Sequence, residues 1–156
     1  MTAAGPPDPQ AALMQEGDRL AQQLTQTLRI QNGDQERLSL VGRSLAVNLI
    51  QSLIPTIEQI TRHAGKPLHA VLTTDERGRA LVQTITPDGE IRARLPAEDL
   101  LEDLLYTRGR LHPVVQAHLQ DALSGSEHHA TRALADALRS KVVLEALRRT
   151  LTRLMR

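Results

Sequence analysis

The chain has 156 residues, a formal net charge of +1 at pH 7 and no cysteine. That length suits one domain with a single hydrophobic core, and the lack of cysteine excludes disulfides, thiolate metal sites and thiol catalysis. Tyr106 is the one aromatic residue. A core of leucine, isoleucine, valine and alanine therefore favours helix-on-helix packing over an aromatic-lined ligand pocket.

The start of the chain lacks the basic and then apolar segments of a secretory signal, and no uninterrupted apolar run reaches the length of a bilayer span. We therefore predict a cytoplasmic protein without a membrane partner. Frequent arginine, alanine and leucine indicate a GC-rich bacterial genome.

The first predicted elements are a tail and a helix. Residues 1–8 are rich in proline and glycine, so we expect a flexible tail. Asp8 followed by proline is a favourable helix start, and Gly33 is a favourable stop, which predicts a helix over 9–32. Gly17 is expected to weaken the middle of this helix.

A second helix is predicted over 35–64. Apolar residues recur there every three or four positions, which gives one apolar face. Pro55 lacks the backbone N–H that the helix needs, so we expect a kink or a break at Ile54.

The central stretch, 68–95, has the pattern of three short strands joined by two turns. In 90–95 apolar residues alternate with arginines, the two-residue period of a strand with one buried face. Residues 86–89 have the x-Pro-Asp-Gly form of a tight turn, and residues 75–78 form a similar one. We predict a three-stranded antiparallel β-meander, which needs cover because three strands alone bury too little apolar area.

Three further helices are predicted over 97–108, 113–124 and 127–155. The last one carries small residues and then leucines at alternating steps of three and four, the spacing of a coiled-coil seam. The leucines of its second half would form an oligomer interface: Leu144, Leu147, Leu151 and Leu154. An intramolecular neighbour for the same seam is the alternative.

Together these elements predict one α+β domain over 9–156. Amphipathic helices cover the three-stranded antiparallel meander, and a long C-terminal helix follows. We expect a homodimer formed through the last helix or the sheet.

The strongest charged feature is the basic end of the last helix. This segment contains many cations and one acid, Glu145. Basic clusters of this kind bind the phosphates of nucleic acids without sequence specificity. Strand arginines share one face of the third strand and extend the candidate nucleic-acid-binding set: Arg139, Lys141, Arg148, Arg149, Arg153, Arg156, Arg92 and Arg94. Arg77 and Arg79 are further candidates for this set. The alternatives are a solvated helix end that complements the dipole and an edge strand protected by charge.

Neither the histidines nor the acids form a catalytic or metal-binding motif. The six histidines show no zinc spacing, and the acidic run in 98–103 fits the wet face of a helix. There is no P-loop, G-x-S-x-G or G-x-G-x-x-G. We therefore predict a protein that is not an enzyme and has no cofactor or metal.

Residues 70–105, AVLTTDERGRALVQTITPDGEIRARLPAEDLLEDLL, continue from a helix through a meander into a helix opened by proline and acids. This order resembles the core of the YbaB/EbfC family of small bacterial nucleoid-associated proteins. The resemblance implies a homodimer that coats DNA with little sequence preference.

Two functional hypotheses follow. The first is a non-enzymatic, dimeric bacterial protein that binds duplex DNA through phosphate contacts; with one aromatic residue, a stacking platform for single strands is disfavoured. The second is a protein-interaction module, such as an adaptor, chaperone or secretion partner, that binds another helix through its leucine seams.

Overall fold

The computed structural model describes residues 8–28, 35–107 and 110–111, with seven further positions towards the C-terminus: Pro113, Gln116, Ala117, Glu145, Arg148, Arg149 and Thr152. The elements in chain order are α1 (Pro9–Leu28), α2 (Gln35–His63), β1 (His69–Thr74), β2 (Ala80–Ile85), β3 (Ile91–Pro96), α3 (Ala97–Leu105), β4 (Tyr106–Thr107) and β5 (Arg110–Leu111). The predicted α+β class and the three-stranded antiparallel meander are confirmed.

The helices α1 and α2 form an antiparallel hairpin with their apolar faces together. Gln51 donates from its side-chain amide to Gln10 at 3.2 Å, near one end. At the crossing point the backbones touch, because a Cβ on Gly42 would lie 2.5 Å from the Gly17 carbonyl oxygen. A Cβ on Gly17 would overlap the backbone of Arg43. The expectation that Gly17 only weakens α1 was therefore incomplete, since this glycine permits the close approach of α2.

The helix α2 continues through Pro55 to His63, so of the two outcomes expected at Ile54, a kink or a break, the break is wrong. Because Pro55 has no backbone N–H, the carbonyl of Gln51 lacks its usual helical donor. Both residues lie on the exposed face of α2, where water can donate to that carbonyl. On the opposite face Leu53 and Ile57 are completely buried and hold the helix to the core on either side of the proline.

Within the described residues, α2 is also the one helix long and apolar enough to cross a membrane by length and composition, over Leu38–His63. Four of its leucines are buried inside the protein: Leu38, Leu45, Leu49 and Leu53 are at most 2% exposed. The composition of α2 is thus that of a core helix packed on α1 and the sheet.

The sheet has the strand order β1-β2-β3, with every neighbour antiparallel. Both predicted turns are present, with Gly78 at φ 78° and Gly89 at φ 92°, the left-handed conformation that glycine adopts without strain. Helices cover the sheet face that carries Ala70 and Val82, which belong to the main core. Thr84 shares this face, and its buried Oγ1 has no hydrogen-bond partner in the described part of the chain.

Strand β3 departs from the predicted alternation at its first residue. Ile91 was expected on the core face, yet it is 57% exposed. The ladder between β2 and β3 shifts register between Thr84 and Ile85, so that Ile91 lies opposite Ile85. A bulge of this kind turns the start of the strand relative to its neighbour, which takes Ile91 out of the core.

Helix α3 is shorter than predicted. It begins as expected after Pro96, with Glu98 and Asp99 in its first turn, and its leucines are buried. It ends at Leu105 and not at residue 108, because Tyr106 adopts an extended conformation and pairs with Leu111 in a two-stranded hairpin. The predicted helices over 113–124 and 127–155 fall largely outside the described residues; the seven further positions named above are helical.

Candidate nucleic-acid interface

Four of the predicted nucleic-acid-binding residues lie in the described part of the chain: Arg92, Arg94, Arg148 and Arg149, all of them exposed. The other four, Arg139, Lys141, Arg153 and Arg156, lie outside the described residues. The predicted oligomer leucines Leu144, Leu147, Leu151 and Leu154 also lie outside them. The geometry of the site can therefore be followed in detail at the sheet.

The arginines of β3 project from an edge strand. Arg94 lies opposite Gln83 in the β2–β3 register, on the sheet face that points away from the core of α1, α2 and α3. Neither Arg92 nor Arg94 forms an ion pair within the described residues. Residues two apart on a β-strand lie about 6.6 Å from each other, so the two guanidinium groups can contact neighbouring phosphates of one nucleic-acid strand.

A surface groove lies beside these arginines at one end of the sheet. It has a volume of about 340 Å³ and is formed by the α2–β1 connection, the β2–β3 turn and β3, through Lys66, Pro67, Leu68, Thr86, Pro87, Asp88 and Arg92. Lys66 and Arg92 supply two cations and Asp88 supplies one carboxylate. The groove therefore carries a net positive charge that is continuous with Arg94. We call Lys66, Arg92 and Arg94 the basic edge.

Arg79 does not belong to this surface, although the sequence analysis weighed it. Its Nη2 lies 2.9 Å from Oε1 and 3.1 Å from Oε2 of Glu16, and its Nε donates to Oε1 at 3.0 Å. The same Nη2 donates to Glu98 Oε2 at 2.8 Å. The hydrogen bond to Glu16, above all, raises the pKa of Arg79 above its ordinary value. This arginine joins α1, β2 and α3 and is not available for a phosphate.

Glu16, a buried carboxylate on α1, was not among the residues predicted from the sequence. Its side chain is 3% exposed and also accepts from Arg19 Nη1 at 2.8 Å. A signal was present, because Glu16 falls between Leu13 and Leu20 on the apolar stripe of α1, where a carboxylate must find a partner. The arrangement of Glu16, Arg19, Arg79 and Glu98 is a structural ion-pair network.

The β1–β2 turn is organised by a carboxylate. Asp75 Oδ1 accepts from the backbone N–H of Arg77 at 2.8 Å and of Arg79 at 3.0 Å. These bonds, with that from Arg79 contributing most, lower the pKa of Asp75 below its ordinary value. Arg77 is exposed beside it. This turn lies at the opposite end of the strands from the groove, so it does not contribute to the basic edge.

The histidines in the described part of the chain make local contacts. His69 Nδ1 lies 3.2 Å from Glu58 Oε2, and His63 Nδ1 lies 2.9 Å from the Gln59 carbonyl oxygen. No group of three or more histidines and carboxylates suited to a metal ion occurs among the described residues.

The sheet face opposite α1, α2 and α3 carries both apolar and charged side chains in the described part of the chain. Val71 on β1 is 45% exposed and Ile91 on β3 is 57% exposed, whereas Leu81 on the central strand is buried. Gln83 and Arg94 are paired between them. The face thus presents apolar side chains at both edges and a cation at one.

No family model, no curated protein and no solved structure matches this chain. The likeness of residues 70–105 to the YbaB/EbfC proteins therefore remains a resemblance in the order of elements.

Proposed function

We propose that this protein is a non-enzymatic, homodimeric, DNA-associated protein that binds duplex DNA through its phosphates with little sequence preference. The observation that carries the proposal is the division between its arginines. Arg19, Arg43 and Arg79 are held by carboxylates, whereas Arg92 and Arg94 lie side by side on an edge strand without an ion pair in the described part of the chain.

The chemistry of the basic edge suits a polyanion. Guanidinium groups bind phosphate oxygens in a bidentate manner, and release of condensed counterions adds to the affinity without base contacts. The exposed Arg148 and Arg149 lie on a second helical segment, which the sequence assigns to the basic end of the last helix. Two separate basic segments would allow the protein to contact more phosphates than either could alone.

Protein recognition is the second candidate, and the exposed Val71 and Ile91 favour it. An exposed apolar sheet face is a common binding surface for another protein. The two candidates differ in their response to salt, since phosphate binding weakens steeply as salt rises and apolar contact does not.

The test neutralises the basic edge while matching the total charge elsewhere. The variant Arg92→Gln/Arg94→Gln removes two positive charges from β3. The control Arg77→Gln/Arg110→Gln removes two exposed positive charges from other elements. Both variants are compared with the parent by circular dichroism and thermal unfolding, and then by fluorescence anisotropy on a labelled duplex at several salt concentrations.

We expect the β3 variant to bind more weakly and to lose about 2 from the slope of log affinity against log salt, one for each phosphate contact removed. The control pair should keep the parental slope. Equal losses in both variants would show that only net charge matters, and no loss in the β3 variant would remove β3 from the interface.

A second experiment addresses the last helix. Arg148→Glu, Arg149→Glu and Arg153→Glu together should weaken duplex binding. Leu147→Ala and Leu151→Ala should instead reduce binding of a helical protein partner. Parental DNA affinity in the triple variant would eliminate this helix as a DNA contact.

A further inference from the structure

The two edges of the sheet are built differently. Edge strand β3 carries two arginines, ends in Pro96 and is shifted in register beside Ile85. Charges, prolines and bulges are the devices by which proteins prevent an edge strand from pairing with another chain. Strand β1, His69–Thr74, has none of the three: it contains no lysine, arginine, acid or proline, and its register with β2 is uninterrupted.

The free edge of β1 can be assigned to particular backbone groups. The Asp75 N–H donates to the Arg79 carbonyl oxygen at 2.9 Å, so residue 75 directs its backbone towards β2. Strand geometry alternates with a period of two, which directs residues 71 and 73 towards β2 as well. Ala70 and Leu72 then direct their N–H and C=O groups outward, and no hydrogen bond to these outward groups forms within the described residues.

We propose that β1 pairs antiparallel with β1 of a second copy of this chain, around a two-fold axis at Val71. This proposal specifies the dimer interface of the homodimer in the proposed function, and it rests on that part of the proposed function. It does not depend on DNA binding. Ala70 and Leu72 exchange backbone hydrogen bonds with Leu72 and Ala70 of the second copy. The result is a six-stranded sheet with β3 at both outer edges.

The side chains of β1 are self-complementary in this register. Val71 meets the same residue of the second copy, which covers a side chain that is 45% exposed in one chain. His69 lies opposite Thr73, so no like charges face each other. The same pairing through β3 would place arginines against arginines, which is unfavourable. The absence of like-charge repulsion therefore favours β1 over β3 as the edge that accepts a second copy.

The absence of cysteine gives a direct test. Residue 71 would form a non-hydrogen-bonded pair with its counterpart, in which the Cα atoms lie about 4.5 Å apart, within the disulfide range of about 4.4–6.8 Å. We expect Val71→Cys to give a disulfide-linked dimer under mild oxidation. Ile91→Cys is the matched control, because Ile91 is the exposed apolar residue of the other edge. All measurements are made on the full chain without nucleic acid.

A charge-swap experiment tests the register independently. Val71→Lys and Val71→Glu should each raise the dimer dissociation constant about tenfold, as opposed like charges replace an apolar contact, and a mixture of the two should restore the dimer. Sedimentation equilibrium gives the masses.

Three results would overturn the proposal: a monomeric parent at tens of micromolar concentration, cross-linking of Ile91→Cys as fast as Val71→Cys, or a mixture no more dimeric than its components. A dimer that fails these tests but still binds duplex DNA would refute this interface and leave the DNA proposal standing. If the Val71→Cys cross-link forms but the protein does not bind duplex DNA, the DNA proposal is refuted and this interface stands.

Discussion

Replacement of Arg79 by methionine should destabilise the protein more than any other single loss of an exposed cation. Arg79 makes three hydrogen bonds of 2.9–3.1 Å to the Glu16 carboxylate and one of 2.8 Å to Glu98. Methionine keeps much of the aliphatic volume and removes the charge and the donors. The Glu16 carboxylate, 3% exposed, would then keep Arg19 as its partner.

The expected magnitude lies between two limits. Breaking a fully buried pair costs about 3–5 kcal/mol, because a charge is left in a region without water, while an exposed pair contributes about 0–1 kcal/mol. Arg79 is 36% exposed, and Arg19 remains bonded to Glu16 at 2.8 Å. We therefore expect a loss of about 2–3 kcal/mol in the free energy of unfolding, or roughly 4–12 °C in Tm for a chain of this size.

Arg43→Met is the matched control. Arg43 donates to both oxygens of Asp18, at 2.6 and 3.3 Å, but the two side chains are 46% and 41% exposed. The same substitution should there cost at most about 1 kcal/mol. Urea unfolding of both variants, followed by circular dichroism, gives the free energies if the m-values agree.

Equal losses in the two variants would refute the reasoning, since burial of Glu16 is what separates them. A double variant adds a second check. Glu16→Leu/Arg79→Met removes both charges, so it should be more stable than the sum of its single variants predicts.

Three further predictions concern the crossing helices, the sheet and the first turn. Gly17→Ala should lower the free energy of unfolding by about 2 kcal/mol in urea, because overlap with Arg43 outweighs a gain of about 1 kcal/mol in helix propensity; a net gain would show that the backbones do not touch. Thr84→Val should raise it by about 1 kcal/mol, because a buried hydroxyl without a partner is removed; a loss would reveal a hydrogen bond there. Asp75 has a lowered pKa from backbone bonds led by that of Arg79, so its contribution is present above its ordinary pKa of 3.8 and is lost as the pH falls through the folded value. Asp75→Asn should therefore flatten the decline in urea midpoint as the pH falls below the ordinary pKa of 3.8, and an unchanged decline would exclude this carboxylate as a cause.

The meander could be predicted because its signals are local. The turn at 86–89 and the alternation in 90–95 specify their own conformation, and the sheet follows from neighbouring segments. The exposure of Ile91 could not be predicted in this way. It depends on a register shift between two strands, which is decided when the strands pair and not by either sequence alone.

The roles of Gly17 and Arg79 depend on contacts between distant parts of the chain. In the sequence, Gly17 indicates only a residue that weakens a helix. Its role in the close packing of α1 and α2 is seen only once the two helices are in contact. Arg79 lies next to β2, as Arg92 and Arg94 lie in β3, yet its guanidinium is bound by Glu16, 63 positions earlier. The packing of α1 on α2 determines the first contact, and the packing of α1 beside the β1–β2 turn determines the second. The sequence of one element does not specify how another element is oriented against it.

The protection of edge strand β3 against pairing limits the number of copies that can assemble through the sheet. In a chain with two adhesive edges, each added copy would expose a new site and growth would continue into a fibre. Here the arginines, the terminal Pro96 and the register shift all lie on one edge. In the proposed dimer, pairing through β1 therefore uses the one unprotected edge of the three-stranded sheet that the structure describes. Assembly should saturate at a closed pair even at high concentration, and solutions should scatter no more light than that pair requires.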